Sequence, residues 1–98
     1  MTADDLATSV DRLLNQVRHW GPSRWRRSRA DLVYGLVQRL ADLGADAEHR
    51  SHRPVPRVGD LVLPDQLRVM ADDLLAAAPP DEVLRQAINE VNAARRRL

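Results

Sequence analysis

Four arginines lie within six residues and surround a tryptophan, in the stretch Ser23-Arg24-Trp25-Arg26-Arg27-Ser28-Arg29. Guanidinium groups bind phosphates and carboxylates through planar pairs of hydrogen bonds. An indole ring can stack on a nucleic-acid base. This pattern therefore marks five candidates for binding an anion or a partner: Arg24, Trp25, Arg26, Arg27 and Arg29. The alternative is that the tryptophan belongs to the core and that the arginines face water or pair with carboxylates.

A second basic group consists of Arg50, Arg53 and Arg57, with His49 and His52 between them. These three arginines are further candidates for binding an anion or a partner. Two histidines three residues apart can begin a metal site, but only the neighbouring Glu48 supplies a ligand at a matching spacing. We therefore predict a solvated loop here and no metal.

No residue pattern indicates catalysis. The chain has no cysteine, which excludes disulfides, thiolate metal sites and cysteine nucleophiles. The carboxylate pairs Asp4-Asp5 and Asp72-Asp73 are adjacent in sequence, so on a helix they point about 100° apart and form no acid/base pair. A glycine-rich phosphate loop and a nucleophile triad are both missing. We predict that the protein is not an enzyme and needs no cofactor.

The elements that must position these residues follow a helical period. Apolar residues recur every three or four positions in four segments, which predicts helices over residues 3–20, 23–43, 64–78 and 81–97. The second helix has two candidate starts. We favour Ser23, which places Trp25 and Arg29 on the apolar stripe, over Ser28, whose hydroxyl could cap the helix. Gly44 is expected to end it.

The long connection, residues 45–63, has features of both a docked and a mobile segment. The prolines of Arg53-Pro54-Val55-Pro56 favour an extended backbone, and a turn is expected near Gly59-Asp60. Val58, Leu61, Val62 and Leu63 are more apolar than a solvated loop requires. The sequence leaves open whether this segment docks on the helices.

Together these patterns predict one all-α domain over residues 1–98, a four-helix bundle of two antiparallel hairpins. No apolar run is long enough for a membrane span and the acidic start lacks the features of a signal peptide, so we expect a cytoplasmic protein. A complete scaffold without catalytic groups favours an interaction module that binds another protein or itself. Tyr34 and Val69, which lie off the apolar stripes, favour a homodimer. The alternative is nucleic-acid or other polyanion binding through the arginines of residues 24–29.

Overall fold

The structure, a computed structural model, describes residues 2–98, and these form four α-helices with no strand among them. The helices are α1 (Ala3–Val17), α2 (Arg27–Ala47), α3 (Leu63–Ala76) and α4 (Asp81–Arg97), with a short 3-10 helix at Asp60–Val62 before α3. The predicted all-α class is confirmed. Among the described residues, no helix is both long and apolar enough to cross a membrane.

Helix α2 begins at Arg27, so the predicted start at Ser23 is wrong. The residues before it form a turn instead, in which the backbone N–H groups of Arg24 and Trp25 donate to the carbonyl of Gly21. Trp25 reaches the core from this turn rather than from a helix. Helix α1 likewise ends at Val17, short of the predicted residue 20.

The other end of α2 extends beyond the predicted stop at Gly44. This glycine lies buried inside the helix, where a Cβ atom would stand 3.9 Å from the Cα of Leu74 in α3. That distance is an ordinary van der Waals contact, so Gly44 is a packed position inside the helix and not its end. The helix ends at Ala47. Two residues later, His49 adopts a positive φ of 57° and the N–H of Arg50 donates to the carbonyl of Ala45 at 2.7 Å.

The core is aliphatic and is shared by all four helices. Its largest fully buried side chains are Leu6, Leu13, Leu40, Leu63, Leu67, Leu74, Val10, Val17, Val33, Val37 and Val91. The close packing pairs are α2 with α3, α1 with α4, α2 with α4 and α1 with α3. The two predicted hairpin pairs, α1 with α2 and α3 with α4, are not among them, so the arrangement as two antiparallel hairpins stays a prediction.

Leu36 provides a test of this core, because it lies on the buried stripe of α2 and is only 4% exposed. We expect Leu36→Ala to lower the free energy of unfolding by about 2–5 kcal/mol, since it removes buried methyl groups and leaves a cavity. Chemical denaturation measures this change. The matched control is Asn89→Ala at an exposed position of α4, where the effect should stay within about 0.5 kcal/mol. Equal effects of the two substitutions would contradict the assigned core.

Candidate functional site

The turn between α1 and α2 is organised around two tryptophans. The rings of Trp20 and Trp25 meet edge to face, with centroids 5.1 Å apart. Trp25 is only 4% exposed and is part of the hydrophobic core, whereas Trp20 is half-buried. Trp25 was predicted as a partner-binding candidate, and this must be corrected, because core packing leaves its ring almost no surface for a base or a partner.

Two arginines of this turn lie against Trp20. The guanidinium carbons of Arg24 and Arg29 are 5.5 and 5.3 Å from the centroid of its ring, within the range of cation–π attraction. Arg29 also donates a hydrogen bond from Nη1 to the backbone carbonyl of Arg24, at 3.2 Å. The protein itself thus uses both guanidinium groups to hold the turn.

The remaining two arginines of the cluster are open to solvent. Arg26 precedes the first residue of α2 and is exposed. The side chain of Arg27 is almost fully exposed, and its Nε atom is 3.9 Å from a carboxylate oxygen of Asp31. An exposed pair at this distance contributes little to stability. Arg26 and Arg27 are therefore the members of the cluster that remain free to meet an acidic partner.

The 50–57 segment is docked on α2. Side chains of α2 make hydrogen bonds to the backbone of the segment. The Gln38 carbonyl Oε1 accepts from the N–H of Val55 at 2.8 Å, and the Gln38 Nε2 donates to the carbonyl of Arg53 at 3.0 Å. The hydroxyl of Tyr34 donates to the carbonyl of Val55, whose side chain is buried. The question that the sequence left open is answered: this part of the connection is docked.

The three arginines around this segment have different surroundings. Arg57 is 2.7 Å from Asp31 and its guanidinium lies 5.0 Å from the ring centroid of Tyr34, so it helps to fasten the segment. Arg50 pairs with Glu48 at 2.8 Å on the surface. Arg53 makes no ion pair within residues 2–98 and lies at the edge of a cavity.

That cavity, of about 230 Å³, lies between the 50–57 segment and helices α2 and α3. Its walls are largely apolar, formed by Leu40, Ala41, Gly44, Ala45, Val55, Met70 and Leu74. Charged groups from Arg50, Arg53 and Asp73 stand at its edge. The space could accept a small apolar group. It holds no pair of groups positioned for acid/base chemistry.

His52 is held by carboxylates of α2. Its Nε2 atom is 2.7 Å from Asp46 and its Nδ1 atom is 3.7 Å from Asp42. The hydrogen bond to Asp46 raises the pKa of His52 above its ordinary value of 6.5, because the carboxylate stabilises the imidazolium. No group of three or more potential metal-ligating side chains occurs in the part of the chain that the structure describes.

The most unusual surface is a group of four large aliphatic side chains that face solvent, here called the apolar patch. Val58 precedes the 3-10 helix, Leu61 and Val62 belong to it, and Val69 lies in the middle of α3, the helix that follows. Their exposed fractions are 68%, 58%, 38% and 50%. The exposed carboxylates of Asp65 and Asp72 lie on the same helix. The sequence had indicated that Val58, Leu61 and Val62 exceed what a solvated loop needs and that Val69 lies off the apolar stripe of its helix.

The contact between His52 and Asp46 predicts a pH dependence. Since the pKa of His52 is raised in the folded chain, its contribution to stability should be complete below pH 6.5 and should disappear as the pH rises through the folded-state pKa. Asp46→Asn should return the pKa of His52 towards 6.5, as followed by NMR titration of the ring protons. Glu48→Gln is the matched control, because Glu48 contacts Arg50 instead. Equal titration curves for Asp46→Asn and the unmodified chain would refute this contact.

Comparisons of the chain with protein-family models, with curated proteins and with solved structures found no match.

Proposed function

We propose that this protein is a non-enzymatic interaction module that associates with a second copy of itself through the apolar patch. The observation that carries this proposal is the exposure of Val58, Leu61, Val62 and Val69, while the other large aliphatic side chains of residues 2–98 are buried or partly buried. Grouped apolar side chains in contact with water are typical of binding surfaces. Their burial against an equivalent surface would stabilise the association.

The charges beside the apolar patch support a second copy as the occupant. Arg57 contacts both Asp31 and Asp60, which places the start of the patch close to the first turn of α2. The free guanidinium groups of Arg26 and Arg27 lie at that same end of α2. A two-fold dimer makes every contact twice. In such a dimer, the arginines of each copy could face the carboxylates along α3 of the other.

Polyanion binding through the arginine cluster has weaker support. It would use four guanidinium groups and a stacking ring, but Arg24 and Arg29 already lie on Trp20 and Trp25 is buried. Only Arg26 and Arg27 are both exposed and clear of the tryptophan rings. Two contacts supply a small fraction of the charge neutralisation that non-specific DNA binding requires.

The proposal predicts a dimer in light scattering coupled to size exclusion. The unmodified chain should give a mass of about 22 kDa, twice the 11.1 kDa of one chain. Val69→Glu should restore the monomer, because a buried unpaired carboxylate in the interface is costly. Leu61→Glu should do the same. Both positions are exposed in the single chain, so the helical circular dichroism should be retained.

The matched control is Gln86→Glu, which adds the same charge at an exposed position of α4 and should leave the dimer intact. A single-chain mass at ~100 μM protein would contradict self-association, since that concentration corresponds to only ~5–6 kcal/mol of binding free energy. A dimer that persists in both glutamate variants would show that the apolar patch is not the interface.

A further inference from the structure

A cleft between α1 and α4 is lined almost entirely by cationic side chains. Arg12 of α1 and Asn92, Arg95 and Arg96 of α4 surround a space of about 250 Å³, here called the arginine cleft. Residues 92, 95 and 96 are spaced i, i+3 and i+4, so they share one side of α4. The packing of α1 on α4 adds Arg12 from the opposite wall.

The three guanidinium groups of the arginine cleft have no acidic partner within residues 2–98. Elsewhere in that range, several arginines lie within 4.0 Å of a carboxylate, namely Arg27, Arg39, Arg50, Arg57, Arg68 and Arg85. The Nε atom of Arg95 is also shielded from solvent and has no hydrogen-bond partner. A shielded charged donor without an acceptor in the protein is unfavourable, and an anion bound beside it would supply that acceptor.

The dipole of α4 does not provide that acceptor. Arg95 and Arg96 lie in the last turn, where the C-terminal end of the dipole is equivalent to about half a negative charge. That fraction offsets only a small part of three positive charges. Arg12 lies within α1, five residues before its end, and gains nothing from this dipole. The arginine cleft therefore keeps a net positive potential that attracts an anion.

We propose that the arginine cleft binds a phosphate group, carried by a small phosphomonoester or present as inorganic phosphate. Arginine forks bind phosphate oxygens in pairs, and the Asn92 amide adds a neutral donor beside them. Three guanidinium groups offer more donors than the two oxygens of a carboxylate can accept, whereas a phosphate presents three or four oxygens. A water molecule takes about 30 Å³ of liquid volume, so the space also accommodates waters around the phosphate.

The test uses thermal unfolding and titration calorimetry of the full chain with inorganic phosphate, at an ionic strength held constant with sodium chloride. Phosphate should raise the melting temperature, because a ligand that binds only the folded chain stabilises it. Arg12→Gln and Arg96→Gln should each weaken phosphate binding by at least about tenfold, the effect of losing one charge-assisted hydrogen bond. Both residues are exposed, so folding should be retained.

Arg85→Gln is the matched control, because it removes the same charge from an exposed position of α4, ten residues or about 15 Å along the helix from Arg95, and should leave phosphate affinity unchanged. A melting temperature that rises equally in sodium chloride alone, or equally with acetate, would overturn the proposal. Unchanged affinity in Arg12→Gln and Arg96→Gln would also overturn it. Phosphoserine distinguishes the two sources: tighter binding than inorganic phosphate supports a phosphomonoester, and equal affinity supports the free ion.

Discussion

The close packing of α2 on α3 determines where the other elements can lie. The two backbones come close at Gly44, where an added Cβ atom would be in ordinary van der Waals contact with the Cα of Leu74, at 3.9 Å. The neighbouring Leu40 is fully buried in the same contact region. Helix α2 also packs on α4. Its position therefore governs the aliphatic core and, through its polar side, the path of the connection that leads to α3.

The polar side of α2 shows how the chain uses charged and polar residues for structure. The side-chain amide of Gln38 both donates to and accepts from the backbone of the 50–57 segment, so it satisfies backbone groups that have no partner within a helix. On α3, Gln66 donates to the carbonyl of Pro56 from the other side. Arg57 pairs with Asp31 below this segment. Several arginines that the sequence marked as candidates for binding, namely Arg24, Arg29 and Arg57, thus make contacts within the chain. Fewer arginines are left to contact a partner.

Helical periodicity was sufficient to predict all four helices, and α4 agrees with its prediction at both ends. The errors occurred where a residue acts through a distant contact or an uncommon backbone conformation. Gly44 has the residue type of a helix end but lies opposite Leu74, which is 30 residues away. His49 turns the chain just after α2 with a positive φ, for which glycine is the usual residue. Neither feature is visible in local sequence.

The candidate sites also divide into features that local sequence shows and features that only packing creates. The apolar excess of residues 55–63 was apparent from composition, but burial separates Val55 from the exposed Val58. The arginine cleft was not predicted, because Arg12 and Arg96 are brought together only by the packing of α1 on α4. The spacing of Asn92, Arg95 and Arg96 was the one local signal for it. Such a spacing occurs on many solvated helices. It indicates a binding site only when a second helix supplies the opposite wall of the cleft.

The way the 50–57 segment is fastened has a consequence for how the molecule moves. One buried valine and a few side-chain hydrogen bonds hold it, whereas the helices share a continuous core. Segments with so few buried contacts open at a lower free energy than the whole domain unfolds. We therefore expect this segment to lift while the helices stay folded, which would admit water to the space between α2 and α3. In amide hydrogen exchange, Val55 would then report this local opening, and Leu40 would report global unfolding.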